Sequence, residues 1–188
     1  MPKKVLILKS SPREKGNSSV LADQVAAGAA KAGAQVESIL LNRLTIHPCK
    51  ACDQCLELGE GCVTEDDMQA VYPRLLAADA IVFASPIYWF TYSAQLKLCI
   101  DRMYALNSKQ GHALRGKKVG IVLTYGDDDL YTSGGINAIY TFESMARYVK
   151  FEIVGMVYGT ANDIGDAQKQ PALMEKATLL GQRLAAGG

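Results

Sequence analysis

A chain of 188 residues has the size of one large domain, since domains run to roughly 100–200 residues. Hydrophobic residues make up 49% and charged residues 21%, a globular balance that excludes disorder, a fibrous repeat and a highly charged tail. The net charge of +1 provides no field to draw the chain onto nucleic acid or an anionic membrane, so the expected partners are small molecules or proteins.

Residues 80–96 carry no charge, but the stretch falls short of the roughly 20 apolar residues of a membrane span. It also holds Ser85, Pro86, Thr91, Ser93 and Gln95, and it reads as a buried strand, a loop and a helix start. Lys3 and Lys4 precede an apolar run at residues 5–8, too short for a signal-peptide core of about 7–15 residues. The chain is therefore expected to be cytoplasmic, with its five cysteines reduced.

In chain order, residues 4–8 read as a strand whose apolar run has no alternation, the pattern of a strand covered on both faces in a parallel sheet. A hydroxyl-rich loop follows, then a helix on Leu21, Val25 and the alanines up to Ala32, stopped by Gly33. Residues 35–41 form a second strand, residues 64–78 a helix with a Thr64-x-x-Asp67 capping box, and residues 80–84 a third strand. A helix over 93–104, a strand over 118–123, a helix over 135–148, a strand over 151–158 and a helix over 167–185 complete five βα units. Right-handed crossovers then give an α/β three-layer sandwich, with a five-stranded parallel sheet in the flavodoxin-like order 2-1-3-4-5. One domain over 1–188 is expected, and its one long connection is a cysteine-rich loop at about 42–63.

Ligands in such sheets sit beyond the carboxyl ends of the strands, where the order reverses. The loop after the first strand offers Ser10, Ser11, Arg13, Gly16, Asn17, Ser18 and Ser19 at a helix start, which suits a terminal phosphate or an ordinary N-cap loop. Neither the dinucleotide glycine fingerprint nor a P-loop is present. After the third strand, Pro86, Ile87, Tyr88 and Trp89 offer flat apolar surface to a planar heteroaromatic ring or to a second subunit. Tyr125 and Gly126 follow the fourth strand, and Asp127, Asp128 and Asp129 read as a solvated turn.

Cys49, Cys52 and Cys55 have C-x2-C-x2-C spacing and Cys62 follows, four thiols within 14 residues. The spacing is the compact form used to wrap an iron–sulfur cube, whereas zinc sites usually separate two ligand pairs by a longer spacer. Cys99 reads as a buried small hydrophobe, and His47 and His112 as structural or solvated. Lys97, Asp101 and Arg102 lie about one turn apart and read as a surface charge network.

The combination Ser10-Ser11-Pro12-Arg13, Gly16-Asn17-Ser18-Ser19, Ser85-Pro86-Ile87-Tyr88-Trp89 and Ser93-Ala94-Gln95-Leu96-Lys97 with Asp101-Arg102 resembles the NADPH-dependent FMN reductase superfamily. It is most similar to the iron–sulfur flavoproteins and their cluster-free relatives. The resemblance implies that Ser10, Arg13, Asn17, Ser18 and Ser19 hold the FMN phosphate and that Pro86, Ile87, Tyr88 and Trp89 line the isoalloxazine. Tyr125 and Gly126 would stand near its other edge. It further implies NAD(P)H as co-substrate, a quinone, nitroaromatic, flavin or protein acceptor, and a homodimer or homotetramer. A [4Fe–4S] cluster on Cys49, Cys52, Cys55 and Cys62 is implied by the iron–sulfur members, while plain flavin reductases carry a similar segment followed by Asp66-Asp67-Met68. No acid–base residue is required for hydride delivery, so no catalytic residue is assigned. Phe90-Thr91-Tyr92 replaces a smaller run and is expected to narrow the pocket mouth, and Gly134-Gly135 stand after the acidic run rather than directly after the fourth strand.

Overall fold

The computed structural model describes residues 1–59 and 61–186. Five strands, β1 (Lys4–Lys9), β2 (Gln35–Leu40), β3 (Ala80–Tyr88), β7 (Lys118–Tyr125) and β8 (Glu152–Thr160), pair in parallel in the order β2-β1-β3-β7-β8. Counted as consecutive long strands, this is the expected 2-1-3-4-5 order. Period-two geometry divides each apolar run between the two faces. Val5, Ile7, Val82 and Val122 pack beneath α1 (Asn17–Lys31) and α6 (Pro171–Ala185). Leu6, Leu8, Phe83 and Ile121 pack beneath α3 (Met68–Ala77), α4 (Ala94–Arg102) and α5 (Gly135–Val149).

Helices α1 and α6 approach closely because glycine stands at the crossing. A methyl group on Gly181 would overlap the Val25 carbonyl oxygen, and one on Gly28 the Thr178 carbonyl oxygen. Backbone cannot step aside as a side-chain tip can. Gly181→Ala is therefore expected to lower stability by about 1–3 kcal/mol through overpacking, despite alanine's better helix propensity. A lower urea midpoint at unchanged m-value is the measurement that checks it.

Several element boundaries differ from the sequence expectations. The Thr64-x-x-Asp67 capping box does not form. Helix α3 starts at Met68, whose N–H is accepted by Asp66 Oδ1 at 3.0 Å, while Asp67 Oδ2 accepts the Thr45 N–H at 2.7 Å. The acids at 66 and 67 thus fasten the preceding loop. Strand β3 runs through Pro86 to Tyr88, and its partner β1 ends opposite Ala84, so the proline lies where one side of the strand needs no donor. The aromatic segment is accordingly a hairpin, with β3 pairing antiparallel to β4 (Thr91–Tyr92) around Trp89 and Phe90. Both hairpin residues have positive φ, 47° and 68°, as a two-residue type I′ reversal requires. Glycine or asparagine normally takes these positions, so two bulky aromatics there hold local strain.

Helix α4 ends at Arg102 and passes into a 3-10 turn, Met103–Leu106, and α6 starts at Pro171 rather than 167, where proline's missing N–H is harmless. The long connection carries a short helix α2 (Gln54–Leu58), and a small hairpin joins β5 (Asn107–Ser108) to β6 (Gly111–His112).

Candidate functional site

The reversal of strand order between β1 and β3 opens a cleft at the carboxyl edge of the sheet. Behind its wall runs a ladder of buried serines. Ser10 donates its N–H and Oγ to the Ala84 carbonyl at 2.9 and 3.0 Å, Ser93 Oγ lies 2.9 Å from Ser10 Oγ, and Ser93 N–H donates to Ser85 Oγ at 2.9 Å. Above it the first loop folds tightly. Ser11 Oγ accepts the Arg13 N–H at 3.1 Å, Gly16 N–H donates to Arg13 O at 2.9 Å, and a Cβ on Gly16 would lie 2.5 Å from Ser11 Oγ.

Helix α1 begins immediately afterwards with no side-chain cap, and its first bond runs from Val20 N–H to Gly16 O. The N–H groups of Asn17, Ser18 and Ser19 are therefore without a protein acceptor among the described residues. With the helix dipole behind them they are donors of the kind an anion satisfies, and exposed Arg13 lies on the same cleft. Ser19 Oγ is buried with no partner among the described residues, a further polar group left unsatisfied by the protein.

The cleft has a volume of about 260 Å³ and gathers Arg13, Asn17, Ser18, Pro86, Ile87, Tyr88, Tyr125 and Gly126. A smaller hollow of about 210 Å³ shares Ile87, Tyr125 and Gly126 and adds Trp89 and Phe90. Trp89 is 92% exposed, Phe90 packs on Gly134, and Asn137 Nδ2 donates to the Phe90 carbonyl at 3.1 Å. The glycine pair after the acidic run thus seats the hairpin tip. Burial pushes the Tyr125 phenol up, leaving it a protonated donor.

Of the residues expected at the phosphate, Ser10 and Ser19 stand behind the cleft wall rather than on it. The Asn17 side chain is committed elsewhere: Nδ2 donates to the Ala161 and Asp163 carbonyls at 2.9 and 2.8 Å, and Oδ1 accepts the Ala167 N–H at 3.1 Å. This ties α1 to the segment after β8, which brings Ala161, Asn162 and Ile164 onto the cleft. Sequence reading missed that segment, although the rule placing ligands beyond strand ends also points to the fifth strand. A Cβ on Gly126 would lie 2.9 Å from Asn162 Oδ1, so glycine there permits the two loops to meet. These features fit a phosphate-bearing planar cofactor: uncapped N–H groups at one end and a proline-stiffened aromatic wall at the other.

The cysteine loop lies on the opposite face of the sheet, over an apolar cavity of about 490 Å³ walled by Phe83, Met103, Met145 and Phe151. Cys49 and Cys52 are exposed, Cys55 is buried and Cys62 is half-buried. Among the described residues no three metal-ligating side chains converge as a ready site. Burial pushes the Cys55 thiol up, and Cys62, Cys52 and Cys49 add to it. Ala51 and Asp53 take the left-handed conformation, φ 51° and 55°, which gives the loop the local curvature of backbone nests. Burial also pushes Cys62 up, but the Thr64 N–H, 3.5 Å from its sulfur, and the Arg102 guanidinium outweigh it and hold that thiol below its ordinary value.

Arg102 corrects the expectation of a surface network. Lys97 and Asp101 do form an exposed pair at 2.6 Å, worth a few tenths of a kcal/mol. Arg102 is 1% exposed and forms a fork with Asp66, itself buried. The last turn of α4 and the 3-10 turn that follows it aim its side chain inward, which short sequence spacing cannot reveal. The readings of Cys99, His112 and the acidic turn agree with the structure. Cys99 is fully buried, with its thiol pushed up to about 12 by burial. His112 Nδ1 accepts the Leu114 N–H at 3.1 Å and Nε2 lies 3.2 Å from Met103 O, a structural neutral ring. Asp129 caps the Tyr131 and Thr132 N–H groups in the acidic turn.

The three-layer sheet and the anion site beside an aromatic wall define a flavodoxin-like mononucleotide-binding protein. Residues 3–163 match the family described as NADPH-dependent FMN reductase, and the chain belongs to that family. It is 38% identical over 96 residues to the iron–sulfur flavoprotein MJ0731 of Methanocaldococcus jannaschii, covering 51% of this chain and 48% of that one; the chain thus spans about half the length of this relative. It is 28% identical to YwqN of Bacillus subtilis, a protein named as an NAD(P)H-dependent FMN-containing oxidoreductase, covering 96% and 97% of the two chains. The solved NAD(P)H:quinone oxidoreductase from Methanothermobacter marburgensis has the same fold, with a TM-score of 0.76 at 18% identity and complete coverage of both chains.

Proposed function

We propose that the protein is an FMN-dependent oxidoreductase that takes reducing equivalents from NAD(P)H and delivers them to a quinone, nitroaromatic, flavin or protein acceptor. The observation that carries this reading is the opening of the uncapped α1 N-terminus into the same cleft as Pro86, Tyr88 and Tyr125. FMN, when bound, supplies the hydride and electron chemistry. The residues' work is binding, orientation and exclusion of water. The N–H groups of Asn17, Ser18 and Ser19, with Arg13, receive the phosphate. Pro86, Ile87 and Tyr88 form the wall along the ring, and Tyr125 with Gly126 closes the far side. Trp89 and Phe90 stand at the mouth, where nicotinamide and acceptor would occupy one open face in turn, giving ping-pong kinetics. Exposed Tyr88, Trp89 and Phe90 also suit a subunit contact, so a homodimer or homotetramer is part of the proposal. Among the described residues no helix is long and apolar enough to cross a membrane.

The test is anaerobic: FMN per chain, then NADH or NADPH consumption against a panel of quinone, nitroaromatic and flavin acceptors. Stoichiometric FMN with turnover supports the reading, and tight FMN with no pyridine-nucleotide oxidation would make the protein a flavin-binding regulator. Trp89→Ala should leave the fold intact because the side chain is almost wholly exposed. It is expected to lower kcat/KM for the nicotinamide about 2–10-fold through lost stacking, measured by steady-state kinetics at saturating FMN.

A second reading is favoured by the cysteine loop: an iron–sulfur flavoprotein that relays single electrons between redox proteins. The C-x2-C-x2-C spacing of Cys49, Cys52 and Cys55 with Cys62 following, on a loop with left-handed Ala51 and Asp53, supports it, as does the likeness to MJ0731. Cys49, Cys52, Cys55 and Cys62 would hold a [4Fe–4S] cluster. About four iron and four sulfide per FMN in protein purified without oxygen would establish it, and negligible iron after reconstitution would leave the loop structural or redox-sensing.

A further inference from the structure

We propose that the apolar cavity on the face of the sheet away from the cofactor cleft is a second small-molecule site, selective for an aromatic molecule that carries a positive charge. The inference goes beyond the oxidoreductase reading and does not depend on it.

The cavity has a volume of about 490 Å³ and shares no lining residue with the cleft. Buried Phe83, Met103, Leu114, Val149 and Phe151 form its interior, and exposed Tyr104 and Tyr148 stand at its mouth. Concave apolar surface of this size with a few polar groups is the usual form of a ligand site.

Hydrogen bonds brace the wall. After α4 the chain turns through Met103–Leu106 into the hairpin of β5 and β6. His112 ties that hairpin to both flanks, its Nδ1 accepting the Leu114 N–H at 3.1 Å and its Nε2 lying 3.2 Å from the Met103 carbonyl oxygen. Asn107 Nδ2 donates to the Tyr104 carbonyl at 2.9 Å, and the Ala113 N–H donates to the Leu106 carbonyl at 2.9 Å. A wall fixed by its own bonds needs little further ordering when a ligand enters.

Charge decides the class of ligand. The lining holds the carboxylates of Asp53 and Asp101 and, among the described residues, no lysine or arginine. Asp101 is paired with Lys97 at 2.6 Å, whereas Asp53 has no ion pair among the described residues. His112 has both ring nitrogens engaged as a neutral imidazole. An anion entering this space would lose its water and meet no cation. A cation would meet the rings of Phe83, Tyr104, Tyr148 and Phe151 together with the Asp53 carboxylate.

The experiment titrates the full chain calorimetrically, with and without FMN, using three probes of similar shape: 1-methyl-4-phenylpyridinium, uncharged 4-phenylpyridine and biphenyl-4-carboxylate. The cation should bind with a Kd of about 1 mM or tighter, as its size allows, and about 3–30-fold more tightly than the uncharged probe. The anion should not bind. Asparagine also takes the left-handed backbone that Asp53 adopts, so Asp53→Asn should fold normally, weaken the cation about 1.5–5-fold and leave 4-phenylpyridine unchanged. Met145→Trp, which fills the cavity, should remove binding of both. An anion bound as tightly as the cation, no binding by any probe, or an unchanged cation preference in Asp53→Asn each overturns the inference. So does displacement of the cation by FMN, which would put the probe in the cofactor cleft. Binding that appears only on dilution to the monomer would give the cavity to a second copy of the chain and overturn it as well. Should Met145→Trp fail to fold, the Asp53→Asn ratio decides alone.

Discussion

Ser18→Asp is expected to weaken FMN binding by about 100-fold or more while leaving riboflavin binding nearly unchanged. Ser18 stands at the second position of α1 on the cleft wall. A carboxylate there would occupy the free N–H groups itself, repel the incoming phosphate and remove the serine hydroxyl. Losing charge-assisted hydrogen bonds at 1.5–3 kcal/mol each accounts for about tenfold to a hundredfold, and like-charge repulsion adds to it. The same substitution suits a helix N-terminus and should leave thermal stability equal or slightly raised. Fluorescence titration with both ligands, beside a melting curve, separates the effects. Parallel loss of FMN and riboflavin would mean that the cleft had collapsed, and unchanged FMN affinity would place the phosphate elsewhere.

Arg102→Met alone is expected to cost about 3–5 kcal/mol, because it leaves Asp66 buried without its cation. The pH dependence carries a distinctive sign. In the wild type, burial pushes the Asp66 carboxyl up, but the Arg102 fork and the His47 and Met68 N–H groups outweigh it and hold it below the usual carboxylate range. A depressed folded-state pKa contributes stability at pH values above the unfolded value, near 4, and loses it as pH falls through the folded value. Without Arg102 the burial remains while the main opposing interaction is gone, so the carboxyl should move upward. A raised pKa contributes stability below the unfolded value and loses it as pH rises. The deficit of Arg102→Met should therefore be largest near neutral pH and shrink toward pH 4, measured by urea denaturation across that range. A deficit independent of pH would show that lost packing by the arginine stem dominates.

The chemistry-bearing segments were legible where local pattern and function coincide. Residues 5–8 lie in an inner strand because an unbroken apolar run has to be covered on both faces, and Ser18 with Arg13 could be placed at a helix start from turn composition alone. Other features depend on where side chains point after packing. Asn17 reads as a phosphate ligand, but in the fold its amide joins Ala161, Asp163 and Ala167 about 150 residues away, a partnership invisible in local spacing. The segment holding Asn162 reaches the cleft through the same tie.

Alternation of strand and helix, the net charge, the hydroxyl-rich first loop and the four clustered cysteines were determined by the amino-acid order itself, since periodicity and turn chemistry act over a few residues. The tertiary structure alone decided that Arg102 is buried against Asp66 rather than solvated beside Asp101, and that Trp89 and Phe90 form a strained hairpin tip seated on Gly134. It also decided that α1 and α6 touch at Gly28 and Gly181. Each of these depends on contacts between segments far apart in the chain, where burial and close packing override the preference that any one residue shows locally.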